Sequence, residues 1–150
     1  MSDAPTVRRV RREDAPALAA IAWSIVTAYG LPRDPDLLEY GKPRRGVYAE
    51  LCAEVDGELV GTITLSQHPH DRSAGWVSKF FVDPLARGRG AGKALHAALL
   101  IEAHRAGMTW LELSTLTVFH EAIALYEAHG WKRRRSTHGM ERRYFLRLVD

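Results

Sequence analysis

The strongest periodic signal along the chain runs from Ala15 to Tyr29, where Leu18, Ile21, Ala22, Ile25 and Val26 recur at helical spacing. Pro16 fits only a first helical turn, and Gly30 with Pro32 ends the segment, so it predicts an amphipathic helix. Elsewhere the β-branched residues take over. "VYAELCAEV" and "LVGTITLS" flank Asp56-Gly57, a strong turn signal, and predict a hairpin. "QHPHDRSAG" reads as a loop, and "WVSKFFV" from Trp76 to Val82 as a buried strand. A broad apolar band from about Arg89 to Ala106, closed by Gly107, predicts a heavily buried helix. "MTWLELSTL" predicts a strand, Phe119 to His129 a short helix stopped by Gly130, and "WKRRR" with "RRYFLRLV" a closing pair of strands. Near the start, Thr6 to Arg12 has only Val7 and Val10 as apolar residues and predicts a short edge strand. "RDPDLLEY" predicts a short aspartate-capped helix that "GKPRRG" breaks.

The resulting order is strand, two helices, three strands, helix, strand, helix, two strands, which is an α/β mixed sheet with helices on both faces. No repeat, low-complexity stretch or linker interrupts it, so residues 1–150 read as a single domain, long enough to bury its own core. Hydrophobic residues make up 46% and charged residues 26%, as in an ordinary globular protein. Cys52 is alone, which points to a reducing, cytoplasmic setting and to a structural or semi-exposed thiol. No apolar stretch is long enough for a membrane span, and the first residues lack the apolar core of a secretion signal. The formal charge is only +3, with arginines clustered near residues 8–12, 42–45, 87–89 and 132–135. That pattern suits an anionic small ligand or an acidic surface patch better than nucleic acid.

The candidate chemistry lies in "DPLARGRGAGKAL", from Asp83 to Leu95. A Walker A loop would need glycine at Arg87 and Ser or Thr at Ala94, and a dinucleotide fingerprint would need glycine at Lys93. Both fail. What remains is a flexible backbone whose N–H groups can face an anion at a helix N-terminus, with Arg87, Arg89 and Lys93 adding charge. The expected ligand is a pyrophosphate, against the plainer alternative of a glycine-rich linker with solvated arginines. The run His68, Pro69, His70, Asp71 has no second ligand cluster at usable spacing, so no metal is expected.

Val82, a spacer, Pro84, two spacers, Arg87 and then alternating glycines resembles the coenzyme A loop of the GNAT family of N-acetyltransferases, with Arg87, Gly90 and Gly92 matching position for position. "AIALYEAHGW" is similar to the family's second signature, Leu-Tyr followed after three residues by Gly and an aromatic. The resemblance covers about residues 47–131 well. It implies a central, mostly antiparallel twisted sheet of about seven strands with a splay after the fourth strand, and acetyl-CoA as co-substrate. It also implies that backbone groups of Phe81 and Val82 pair with the pantetheine arm, that Arg87, Gly88, Arg89, Gly90, Ala91, Gly92 and Lys93 cradle the pyrophosphate, and that Tyr126 faces the departing sulfur. Phe119 stands where the family often has asparagine, which implies apolar packing against the pantetheine. Some relatives place a glutamate on the bulged strand, where this chain has Ser78 and Lys79. The general base stays open among Glu112, Glu54, His68, His70, His120 and water. The resulting expectation is acetyl transfer to a primary amine of a small molecule or amino acid, by direct attack in a ternary complex. A non-catalytic acyl-CoA-binding module and a protein N-acetyltransferase are the alternatives, and a homodimer is left open.

Overall fold

Seven strands pair into one sheet in the computed structural model, which describes residues 4–135 and 139–148. In chain order the elements are β1 (Thr6–Arg9), α1 (Ala15–Ala28), β2 (Val47–Val55), β3 (Glu58–Gln67), β4 (Ala74–Val82), α2 (Ala91–Arg105), β5 (Trp110–Leu116), α3 (His120–Ala128), β6 (Lys132–Arg134) and β7 (Glu141–Arg147). The strand order is β1-β2-β3-β4-β5-β7-β6, and every pairing is antiparallel except β4 with β5. That parallel pair follows from α2, which carries the chain back across the sheet before β5 begins. At the β2–β3 hairpin, Asp56 (φ 52°) and Gly57 (φ 82°) are both left-handed, as a two-residue type I′ turn requires.

The mixed sheet and its flanking helices match the sequence expectation, although one element changes type and several element ends shift, as β1 does in ending at Arg9 rather than Arg12. The helix expected over 33–40 is only a 3₁₀ turn, Pro35–Leu38, capped by the Asp34 carboxylate, which accepts from the Asp36 N–H at 3.0 Å. Pro35 is tolerated in a first turn, but Glu39 is already extended (φ −97°, ψ 127°), so the chain leaves the helical path after one turn. α2 starts at Ala91 rather than Arg89, because Gly90 takes a left-handed conformation at its N-cap. β4 begins at Ala74 rather than Trp76. A Cβ on Gly75 would lie 2.5 Å from the Met108 sulfur, so the small residues that suggest a loop are there because the strand is tightly covered. The last strand ends at Arg147; Val149, where it was expected to end, lies outside the described residues.

Two cores sandwich the sheet. On one face Leu51, Ile63, Leu65, Val77, Leu111, Leu113 and Tyr144 pack under Leu95, Leu99 and Ala103 of α2 and under α3. On the other, Leu18, Ile21, Ala22 and Ile25 of α1 cover Cys52 and Phe81. Each fully buried leucine or isoleucine stabilises this arrangement by roughly 1.5–3 kcal/mol. Cys52 is completely buried rather than semi-exposed, and burial pushes its thiol up to about 11, so it is an inert core residue. α2 is also pinned by polarity: the Trp131 indole N–H donates to buried His96 Nε2 at 2.9 Å, and burial, helped by His129, holds His96 down to about 4.

Candidate active site

The site begins with an irregularity in β4. Thr64 pairs with Ser78 and Thr62 with Phe81, so Lys79 and Phe80 together oppose Ile63 alone. This is a β-bulge, and Lys79 sits in it at φ 53°, a conformation costing a non-glycine residue of order 1 kcal/mol. The extra residue inverts the alternation of the strand. Lys79 therefore joins the α1 face, where its ammonium donates to the Glu39 carbonyl and lies 4.7 Å from the Tyr40 ring centroid. Phe80 turns to the opposite face and meets Tyr126 at 5.9 Å between ring centroids, while Phe81 joins the α1 core.

Beyond the bulge β4 and β5 part. Their last pair is Val77 with Leu113, although β4 continues to Val82 and β5 to Leu116. The Asp83 N–H donates to the Val60 carbonyl at 2.7 Å, so by strand alternation the N–H and C=O of Val82, and of Phe80 before it, face the gap. Phe81 was expected to supply such groups too, but its backbone belongs to the β3 ladder, opposite Thr62. Its side chain still lines the cleft of about 620 Å³ that the splay opens. Unpaired strand edges are uncommon in a covered sheet, and here they line a built cavity.

One end of the cleft is closed by the turn into α2. Pro84–Ala86 form a 3₁₀ turn in which Asp83 Oδ1 accepts from the Leu85 N–H at 3.0 Å, and Gly88 (φ 83°) and Gly90 (φ 86°) are left-handed. Arg87, Gly88, Gly90, Ala91, Gly92 and Lys93 all line the cleft; Arg89 is exposed and does not. A Cβ on Gly92 would sit 3.4 Å from Phe80 and 3.5 Å from Leu125, so the missing side chain widens the cleft at the start of α2. The positive end of that helix, with Arg87 and Lys93, makes this end of the cavity attractive to anions. Arg87 Nε is paired with Glu121 Oε2 at 3.0 Å; both residues line the cleft.

Tyr126 of α3 lines the same cleft, packed among the rings of Phe80, Trp131 and Tyr144. Burial raises its phenol above the usual range, so it stays protonated at any physiological pH. Phe119 lies at the start of α3, also in the cleft wall, and meets Tyr29 edge-on at 5.2 Å between ring centroids.

Of the open candidates for a base, Glu112 comes nearest the splay, one residue before the last β4–β5 pair and opposite Trp76, but it does not itself line the cleft. It is 2% exposed. His68 Nδ1 accepts from the His70 backbone N–H at 3.1 Å, which places the ring proton on Nε2, donated to Glu112 Oε1 at 2.8 Å. Glu112 Oε2 lies 3.2 Å from Arg143 and 3.6 Å from Arg134, but without the alignment of a hydrogen bond. Glu54 is instead held by Arg8 at 2.7 Å, where β2 meets the edge strand, and His70 and His120 are exposed. Phe80, Trp76, Ser78 and Ser114 also line the cleft and escaped sequence reasoning. The resemblance implied a bulge and a splay, but which side chains they turn into the cleft depends on the exact register. Among the described residues, no group of three or more His, Cys, Asp or Glu is arranged to hold a metal ion, and no helix is long and apolar enough to cross a membrane.

The chain matches the model of the acetyltransferase (GNAT) family over residues 13–131. It is 30% identical over 140 residues to an uncharacterized N-acetyltransferase, YjgM, of Escherichia coli (strain K12), a match covering 85% of this chain and 82% of that protein. A GNAT-family acetyltransferase from Staphylococcus aureus Mu50 superposes with a TM-score of 0.82 at 20% identity, over 97% of this chain and all (100%) of that one. The PaiA N-acetyltransferase of Thermoplasma acidophilum, solved in complex with coenzyme A, superposes with a TM-score of 0.77 at 17% identity, over 99% and 100% of the two chains.

Proposed function

Because this chain belongs to the GNAT acetyltransferase family, we propose that it transfers the acetyl group of acetyl-CoA to the primary amine of a small molecule or amino acid, in the cytoplasm, as one domain spanning residues 1–150. The observation that carries the proposal is the splay itself: an apolar gap between two unpaired strand edges, with a cationic glycine turn at one end and a buried tyrosine in its wall. Coenzyme A is a pyrophosphate joined to an extended amide arm ending in sulfur, and each part has a counterpart here. The N–H groups at the start of α2, with Arg87 and Lys93, suit the pyrophosphate. The gap-facing groups of Val82 and Phe80 suit the amides, and the Gly92 side leaves room for them.

The thioester supplies an activated acetyl carbon. The ammonium first gives up one proton; the amine nitrogen then bonds to that carbon, the carbon–sulfur bond breaks, and the nitrogen loses a second proton, which balances the one the departing thiolate takes up from solvent. Backbone N–H groups at the bulge stabilise the negative charge that develops on the carbonyl oxygen. Tyr126 donates a hydrogen bond to the departing sulfur. Its phenol is a weaker acid than a thiol, whose pKa is about 8.5, so it stabilises the thiolate rather than giving up its proton outright. Glu112, held by His68 one residue before the last β4–β5 pair, lies behind the cleft wall and takes the amine's proton through an intervening water.

Thiol release from acetyl-CoA, followed across an amine panel, tests the scheme. Tyr126→Phe is expected to lower kcat by about 10²-fold with little change in the KM for acetyl-CoA, and Glu112→Gln to lower kcat by about 10²-fold near neutral pH, less so as the amine loses its own proton. Tight CoA binding with no turnover on any amine would overturn the proposal in favour of a non-catalytic acyl-CoA-binding module. Full activity in Glu112→Gln would move the proton's route to water alone.

A further inference from the structure

A second cavity, of about 460 Å³, opens on the α1 side of the sheet beside the segment from Asp36 to Val47. It shares Leu37, Ser78 and Lys79 with the main cleft, so the two meet at the β4 bulge. Its charged wall sets Lys79, Arg44 and Arg45 against Asp36 and Glu39, with Glu50 of β2 paired to Arg44 behind it. Arg44 already has carboxylates near it, Glu50 at 3.6 Å and Glu39 at 3.9 Å. Lys79 is 8% exposed and makes no ion pair among the described residues: Glu50, Glu39 and Asp36 act on it only from beyond pairing distance, and its ammonium is spent on the uncharged Glu39 carbonyl and the Tyr40 ring. A buried ammonium without a counter-ion is costly, and an anion delivered by a ligand removes that cost.

An independent observation lies in the same wall. Thr64 is 1% exposed, lines this cavity, and its hydroxyl has no hydrogen-bond partner. Buried hydroxyls almost always have one, so the site lacks an acceptor as well as an anion. A carboxylate provides both in one group. One buried ammonium without a paired carboxylate fits a monoanion, and a doubly charged phosphate would set its second charge against Asp36 and Glu39.

We propose that this second cavity is the acceptor subsite and that it selects amines also bearing a carboxylate, as an amino acid does, with the carboxylate held by Lys79 and the Thr64 hydroxyl and the amine directed over the bulge into the cleft. This rests on the acetyl-transfer reading and adds its substrate class. The bulge explains the residue's position, because only the extra residue turns Lys79 toward this cavity instead of into the core under α2.

The test compares the common L-amino acids with their carboxamides and their decarboxylated amines, in the wild type and in Lys79→Met. Loss of the carboxylate is expected to raise the acceptor KM tenfold or more in the wild type and less than about threefold in Lys79→Met, with the KM for acetyl-CoA unchanged in both. Arg44→Gln, which leaves Lys79 in place, keeps the preference. Calorimetric titration of the same compounds into the CoA-loaded protein reads binding without turnover. Carboxylate-dependent binding that Lys79→Met abolishes, without acetylation of any amine, supports this subsite and overturns acetyl transfer. Turnover or binding that is equal for acid, amide and amine, or a preference that survives Lys79→Met, overturns the subsite and leaves acetyl transfer standing.

Discussion

Lys79 shows how one residue's backbone decides its chemistry. Its left-handed φ of 53° places the side chain against Tyr40, and burial, with help from Arg44, brings its ammonium down to about 8. Glu50 of β2 and Glu39 and Asp36 from the segment before it oppose that shift. The sign follows directly: below about pH 8 the group is charged and can hold a carboxylate, and above it the charge is lost. An N-acetyl amino acid, which carries the carboxylate but no titrating amine, is therefore expected to bind the CoA-loaded protein more weakly above pH 8, approaching a loss of about tenfold per pH unit. Titrations from about pH 6.5 to about pH 9.5 check this, and Lys79→Met should flatten the profile. The sequence could show a lysine where some relatives carry glutamate, but not which face of the sheet it occupies. A bulge leaves no composition signal, and a one-residue shift exchanges the two faces.

At the scale of elements, the β4–α2 turn and α3 meet across the cleft through Arg87 and Glu121. Glu121 is mostly exposed, and a pair of that kind contributes about 0–1 kcal/mol. A bound pyrophosphate has to take Arg87 from it. Glu121→Gln is thus expected to lower the KM for acetyl-CoA by about two- to fivefold, with kcat unchanged; a higher KM would show that Glu121 holds Arg87 in its working position instead. Gly92 separates structure from function in the same place. The space beside it is ordinary contact distance, so Gly92→Ala is expected to keep or slightly raise thermal stability, by about 0.5–1 kcal/mol, since alanine favours the helix. The added methyl narrows the cleft beside Phe80, and the KM for acetyl-CoA is expected to rise severalfold. Here the sequence was informative: Arg87, Gly90 and Gly92 stand out as a motif, and at Gly88 and Gly90 the left-handed backbone gives the physical reason for glycine.

For the whole molecule, a formal charge of +3 and a cationic turn at the cleft predict electrostatic attraction of a polyanionic co-substrate. Raising the salt from about 0.05 M to about 0.5 M, which shortens the screening length well below about 10 Å, is expected to raise the KM for acetyl-CoA severalfold while kcat holds steady. The sequence by itself determined α1, α2 and α3, the hairpin, the mixed sheet and the glycine turn, because these depend on periodicities of 3.6 and 2 and on local backbone freedom. It also singled out Tyr126, as part of a motif. Only the tertiary structure decided that Phe80 shares the gap with Val82 while Phe81 is tied to β3, and that Glu112 rather than Glu54 stands near the splay with His68 oriented on it. It alone joined Lys79 to a cavity walled by a distant loop. Those outcomes depend on strand register, on where one pairing ends and on which residues far apart in the chain share a face, and no short stretch of sequence carries that information.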